Sequence, residues 1–268
     1  MTAAWIATAA AALAAVLLLC LRARRREVAG LRRRLEAAAL ELERLQRAFG
    51  RFAPGDVVEE IIARGPATRG ERREVTVLFA DLVGYTRLSE RVDPSALVRI
   101  MNGWFERASR CITDHRGRVS TFLGDGILAL WGAIEPNPWQ CDDAVRTGLA
   151  LREAVAAYGR ELASEGLPPI SLGVGIHRGV GVAGLVGSHE KMEFTVLGRV
   201  TNLAARVQGL TRELGVDVLV TRAVRDALDP RFAVRALPPA EVKGIAEAIE
   251  IFAVLGPDAG PRRDVPPS

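Results

Sequence analysis

Two aspartates stand where apolar runs stop. Asp81 ends the run in VLFADLVGYTRLSE (77–90), and Asp125 sits in the Gly-Asp-Gly of TFLGDGILALWG (121–132). Taken singly, each has a plain role: Asp81 caps the next turn, and Asp125 is a turn residue. Taken together, they would converge at one sheet end if the first strand lay beside the hairpin. Two close carboxylates repel unless cations neutralise them. Hard oxygen donors of this kind suit Mg²⁺ or Mn²⁺, and a pair of such ions favours chemistry at a phosphate. Beyond Asp81 the backbone turns at Gly84, where main-chain N–H groups could face phosphate oxygens. A third stretch, EFTVLGRVTNLAARVQGL (193–210), carries Asn202 and Arg206 at i and i+4, which share a helix face. The plain alternative is a polar stripe on a surface helix. The apolar Leu203, Ala204 and Ala205 beside them argue for a packed helix, and arginine suits a place where phosphate charge develops.

The elements that must position these residues alternate. Strands are expected at Glu74–Asp81, Val119–Leu123, Ile127–Trp131, Ile170–Arg178 with a continuation to Val186, Val218–Thr221 and Ile249–Leu255. EFTVLG, before the third motif, is also strand-like. Helices are expected at Pro94–His115, Gln140–Glu165 and Val200–Leu214, with a short one near Arg222–Leu228. This alternation implies a sheet with helices packed on it, of α/β or α+β class. The runs flanking Asp125 are too close for a crossover, so they form a hairpin and the sheet is at least partly antiparallel.

The first fifty residues read differently. Residues 3–21, AAWIATAAAALAAVLLLCL, carry no charge and are about as long as a bilayer crossing requires. Arginines follow this run rather than precede it, unlike a signal peptide. The positive-inside rule then puts everything after Arg22 in the cytoplasm, behind a single-pass anchor in the inner or plasma membrane. Between Arg22 and Arg51 there are ten Arg and four Glu, an excess larger than the +4 net charge of the whole chain. The folded remainder is therefore slightly acidic, and no nucleic-acid partner is expected. Within 22–52, Val28, Leu31, Leu35, Ala38, Leu42, Leu45, Phe49 and Phe52 step by threes and fours, the seam of a parallel coiled-coil dimer. Residues 53–73 form a linker, 74–256 the folded domain, and the Pro-rich 257–268 a disordered tail. Three cysteines, Cys20, Cys111 and Cys141, have neither CxxC nor zinc-ligand spacing.

The three motifs together resemble the catalytic domain of class III nucleotidyl (adenylate/guanylate) cyclases. VLFADLVGYTRLSE is similar to the family's first metal motif, FLGDGILALWG to its second, and FTVLGRVTNLAARV to its ribose and transition-state helix. VGIHRGVGVAGLVGS and VKGIAEAIEIFAV also fit, so the resemblance covers roughly 72–255. It implies an α+β, ferredoxin-like βαββαβ domain with a C-terminal extension. It also implies that Asp81 and Asp125, with the Leu82 carbonyl, hold two Mg²⁺ or Mn²⁺ per active site. Asn202 would orient the ribose, Arg206 would stabilise the α-phosphate, and Lys243 would contact the terminal phosphates. In the family the acids come from one chain and the Asn–Arg pair from the other, which implies a homodimer. The activity implied is conversion of ATP to 3′,5′-cyclic AMP and pyrophosphate, with a guanylate or promiscuous cyclase, or a weak nucleotide-binding or dimerisation module, as the alternatives.

Three positions depart from the family's pattern. Thr121 stands where many adenylate cyclases carry a base-reading Lys. Thr195, at the other base-reading position, is a common adenylate-cyclase choice. Arg199 replaces an acid and Thr201 a Val in Gly198-Arg199-Val200-Thr201-Asn202. Guanine presents two donors and wants a carboxylate reader, which neither threonine supplies; a hydroxyl can serve adenine's N1 or N6. ATP is therefore the expected substrate. His177 reads as a hydrogen-bonded core or rim histidine, and Trp104 and Phe105 as core-facing helix residues.

Overall fold

The computed structural model describes residues 24, 30–32, 34–41, 43, 70–188, 192–241 and 247–257. The apolar run 3–21, most of the linker, Lys243 and the tail from residue 258 lie outside the described residues. The chain divides into two compact units, Met1–Gly65 and Pro66–Ser268. In the first, every described residue is helical. Two leucines of the expected seam, Leu31 and Leu35, are 59% and 74% exposed. Among the described residues no helix is long and apolar enough to cross a membrane; the expected span is not among them.

The second unit runs β1 (Glu71–Val83), α1 (Tyr85–Ser89), α2 (Pro94–Asp114), β2 (Arg118–Leu123), β3 (Gly126–Trp131), α3 (Gln140–Ser164), β4 (Ser171–Gly187), β5 (Met192–Leu197), α4 (Arg199–Leu214), β6 (Val218–Thr221), α5 (Arg222–Arg225), β7 (Phe232–Ala236) and β8 (Ile251–Pro257). The sheet order is β2-β3-β1-β4-β6-β8-β7, with β5 pairing β4. β1 is antiparallel to both β3 and β4, and β2 to β3. Strands β1 to β4 with α2 and α3 thus form the βαββαβ unit, and β6 joins it in parallel to β4. The hairpin expected around Asp125 is β2–β3.

β1 is buried on both faces, which is why it reads as an unbroken apolar run. Leu78, Ala80 and Leu82 pack under α2 and α3 with Trp104, Ile112, Leu151 and Leu162. Val75 and Val77 pack on the opposite face with Val200 and Ala204 of α4. The start of α2 is set by Pro94 and by Asp93, whose carboxylate accepts from the Ser95 and Ala96 N–H groups. α4 lies close on β4 because Gly175 has no side chain; a Cβ there would run into the Gln208 backbone.

Several bounds differ from expectation. β1 runs past Asp81, its expected end, to Val83, because its pairing with β4 continues to Val83↔Ser171. β1 starts at Glu71 rather than Glu74, because the long β4 pairs back as far as Glu71↔Ala183 and draws three polar residues into the strand. β7 was not expected: it is five residues long and pairs only with β8 at the sheet edge. The last strand begins at Ile251, since Ile249 bridges Ala240 instead. The short helix after β6 stops at Arg225.

Candidate active site

The acids meet through strand register. β1 and β3 pair as far as Ala80↔Ile127, so Asp81 lies beside the turn that carries Asp125. The Asp81 carboxyl is pushed up to about 6, first by burial, then by the charge of Asp125 and a hydrogen bond with it. The Leu82 N–H and Arg212 draw it partly back. Gly126 adjoins this pair: a Cβ there would lie 3.3 Å from the Ala80 and Leu123 carbonyl oxygens, a tight fit, and 3.4 Å from Asp81 Oδ1, an ordinary contact. Beyond β1, Gly84 takes the left-handed conformation (φ 100°) and starts α1, the turn that its position predicts. Among the described residues no three His, Cys, Asp or Glu side chains cluster. The cation donors one chain offers here are two carboxylates and backbone oxygens such as that of Leu82.

Asn202 and Arg206 are placed elsewhere. α4 buries Val200, Ala204, Val207 and Thr211, the stripe facing the sheet. Asn202 and Arg206 lie off that stripe; Asn202 is exposed and Arg206 half-buried. Neither side chain has a hydrogen-bond or ion-pair partner among the described residues. The helix runs backwards along β4: Thr211 lies over Gly173, Ala204 over Gly175 and Val200 over Gly179. Gly173 is opposite Asp81, whereas Gly179 is opposite Val75. The first turn of α4, which holds Asn202, is therefore roughly 20 Å along the sheet from Asp81 at about 3.3 Å per strand residue. The α4 cation that acts on Asp81 is Arg212. One chain brings the acids together, and it brings Asn202 and Arg206 together, but it does not bring Asn202 to the acids.

Thr121 and Thr195 lie on strands that meet. Ser120 Oγ donates to the Phe194 carbonyl oxygen at 3.0 Å, linking β2 to β5 at the residues adjoining the two threonines. Both threonines are half-buried, and Thr121 Oγ1 makes only a long 3.4 Å contact with its neighbour's carbonyl. His177 is the hydrogen-bonded histidine expected, with Nδ1 2.8 Å from Thr221 Oγ1. Burial, and then Arg199, push its pKa down to about 4. A cavity of about 270 Å³ lined by His115, Arg146, Phe232 and their neighbours shares no residue with any of these pairs.

Two contributors escaped the sequence. Arg212 reads as an ordinary basic residue in a last helical turn. Trp104 is fully buried, as its helical spacing suggests, yet its Nε1–H donates to the Asp125 carbonyl oxygen at 3.0 Å. Periodicity marks it as core and is blind to where the indole nitrogen points.

Known proteins resemble this chain. The family model for the adenylate and guanylate cyclase catalytic domain matches residues 68–256. Adenylate cyclase 1 of Rhizobium meliloti is 30% identical over 210 residues, covering 78% of this chain and 32% of its own length. An adenylate cyclase of Anabaena cylindrica is 31% identical over 231 residues, 82% of this chain and 45% of its own. The chain thus spans less than half the length of these relatives. Among solved structures, a bacterial light-regulated adenylyl cyclase superposes with a TM-score of 0.69 at 26% identity, over 82% of this chain and 63% of that one. The guanylyl cyclase Cya2 superposes with a TM-score of 0.65 at 29% identity, over 75% of this chain and 100% of that one. The match takes in the acid pair, the two threonines and the helix of Asn202 and Arg206, and the chain belongs to the adenylate and guanylate cyclase catalytic domain family.

Proposed function

We propose that the chain is an adenylate cyclase that converts ATP to 3′,5′-cyclic AMP and pyrophosphate as a homodimer. The observation that carries this is the placement of Asp81 beside Asp125, where the β1–β3 pairing ends. The donor set fits divalent cations: two hard carboxylates lie side by side, and one is already pushed up to about 6 by burial and the other. Asp81, Asp125 and the Leu82 carbonyl would hold two Mg²⁺ or Mn²⁺. When bound, these ions would acidify the ribose 3′-hydroxyl and neutralise the triphosphate.

The chain's own residues supply the rest. Asn202 would orient the ribose, and Arg206 would donate to the α-phosphate as charge builds there. The 3′-oxygen forms its bond to the α-phosphorus, the bond to the bridging oxygen breaks, and pyrophosphate leaves with that electron pair. The 3′-proton goes to solvent. Asn202 lies too far along the sheet from Asp81 of its own chain to act with it. Acids of one protomer facing the Asn–Arg helix of its partner would complete two equivalent sites. The turn at Gly84 would face the phosphates with its N–H groups, and Lys243 would contact the terminal phosphates. Thr121 and Thr195 would meet the purine edge, donating to adenine N1 or accepting from N6.

In the same proposal residues 1–21 anchor the chain in the membrane, 22–52 pair as a coiled coil, 53–73 link them to a cytoplasmic catalytic domain at 74–256, and 257–268 form a disordered tail. The uncharged run followed by arginines supports the anchor. Full-length protein should pellet with membranes, and a chain lacking residues 1–25 should not; full-length chain free in the cytosol would reject the anchor.

A guanylate cyclase is the second reading, favoured by the likeness to Cya2 and by the neutral Thr121 in place of a lysine. A product assay of the full chain with ATP and GTP, each with Mg²⁺ and with Mn²⁺, separates the two. Cyclic AMP as the main product supports the proposal. Cyclic GMP alone would move it to the second reading, and no cyclic product under any condition would reduce the domain to a nucleotide-binding or dimerisation module.

A further inference from the structure

The β2–β3 hairpin is tied to α2 by two indoles. Trp104 of α2 sends its N–H to the Asp125 carbonyl at the hairpin tip, 3.0 Å away. Trp131, at the base of the hairpin, sends its N–H to the carbonyl of His115, the C-cap of α2, at 2.9 Å. Both side chains are almost fully buried. Only the first bond ends on a member of the acid pair.

The tip needs such a tie. Gly124 has φ +65° with open space around its Cβ position, and Phe122 and Leu123 are about half exposed. Little besides Trp104 and β1 itself holds the turn, while Asp125 must stay beside another carboxylate. The donor, in contrast, is fixed. Tyr158 of α3 donates to the Ile100 carbonyl at 3.1 Å, and Gly103 leaves room for its hydroxyl, so α2 is locked on α3 one residue before Trp104. Phe105 adds a second contact to the hairpin, its ring centroid 4.4 Å from that of Phe122. A buried indole N–H needs an acceptor, and here the acceptor is the acid's own backbone.

We propose that Trp104 is a positioning residue for Asp125: its indole N–H pins the Gly-Asp-Gly turn to α2, so helix packing sets the separation of the two carboxylates. This rests on the proposed role of Asp125 as a cation ligand.

Trp104→Phe and Trp131→Phe form a matched pair, since each deletes one indole N–H and leaves a similar void. Both should lower thermal stability to a similar degree. Trp104→Phe alone should raise the Mn²⁺ concentration for half-maximal cyclic nucleotide formation about fivefold, the worth of one neutral hydrogen bond. The KM for ATP at saturating Mn²⁺ should not move. The same variant should speed amide hydrogen exchange at residues 123–127, and Trp131→Phe should not. The proposal is overturned if Trp104→Phe keeps the wild-type Mn²⁺ requirement and turn exchange, or if Trp131→Phe raises the requirement equally. Should the wild-type chain make no cyclic nucleotide, the proposed function fails while exchange still decides this point: a turn no faster in Trp104→Phe than in Trp131→Phe overturns it.

Discussion

The acid pair and the Asn202–Arg206 pair are held in opposite ways. Asp81 and Asp125 are brought side by side inside one chain by strand register, and the Asp125 carbonyl accepts from the Trp104 indole. Asn202 and Arg206 are displayed on the outer side of α4 without partners among the described residues. The difference follows from charge. Two carboxylates left to themselves move apart, so rigid backbone must hold them. A neutral amide and one guanidinium have nothing to repel, and a helix face can present them to a second surface. The pair that must be forced together is prebuilt; the other is left on an outward helix face.

The sharpest way to break this contrast is to remove an acid. Asp81→Ala or Asp125→Ala should lower turnover by at least about a thousandfold, since cation binding is lost with either ligand. Thermal unfolding should show no loss of stability, because the repulsion goes too. Near wild-type turnover in either variant would end the two-cation assignment. Next comes Arg206→Ala, with an expected loss of about 10²–10³ in kcat, as for one lost donor to a charged transition state. Its melting temperature should stay put, as the side chain has no partner to lose among the described residues. Mixing Asp81→Ala with Arg206→Ala should restore activity, because one of the two sites in the heterodimer is then intact. Heterodimers that form and stay dead would show that the site is not split between chains.

The α4 side of the comparison hides a titrating group of its own. His177 is neutral in the folded chain, with a pKa pushed from 6.5 to about 4. The unfolded chain takes up the proton first, so this stability is complete above pH 6.5 and is lost as pH falls toward 4. The loss is up to about 3 kcal/mol at 1.36 kcal/mol per pKa unit. Urea unfolding of wild type and His177→Asn at about pH 7 and about pH 4.5 should show a flatter dependence in the variant. Equal slopes would mean that His177 is not buried as a neutral group. The smallest effect concerns the base. Thr121→Lys should lower the KM for ATP, or sharpen ATP over GTP, by roughly tenfold, since a charged hydrogen bond exceeds a neutral one by about 1.4 kcal/mol. If both KM values and the ATP/GTP ratio stay unchanged, Thr121 does not touch the purine.

Much of this architecture is legible in the chain. The apolar runs of β1, β3 and β6 mark buried strands, and the Gly-Asp-Gly turn marks the hairpin between β2 and β3. The edge strand β7 is not legible, since five residues gain their strand character only by pairing with β8. The first three residues of β1 are polar and become strand only because β4 extends to meet them. At the site, residue type names Asp81, Asp125, Asn202 and Arg206 as candidates, while Arg212 and the nitrogen of Trp104 declare themselves only through distance.

Local patterns, set by neighbours within a few positions, were enough to name most of the strands and helices and to mark the two acids and the Asn–Arg pair as candidates. A helix period or an apolar alternation is a property of short stretches, and so is the arrival of a carboxylate at the end of one. Which groups share a site is a long-range matter. Asp81 and Asp125 are far apart in sequence and lie side by side because β1 enters the sheet next to β3. Asn202 is kept from Asp81 because α4 runs backwards along β4 over a row of glycines. Pairing order and helix direction are decided by burying both faces of one sheet at once, and only the folded chain performs that sum.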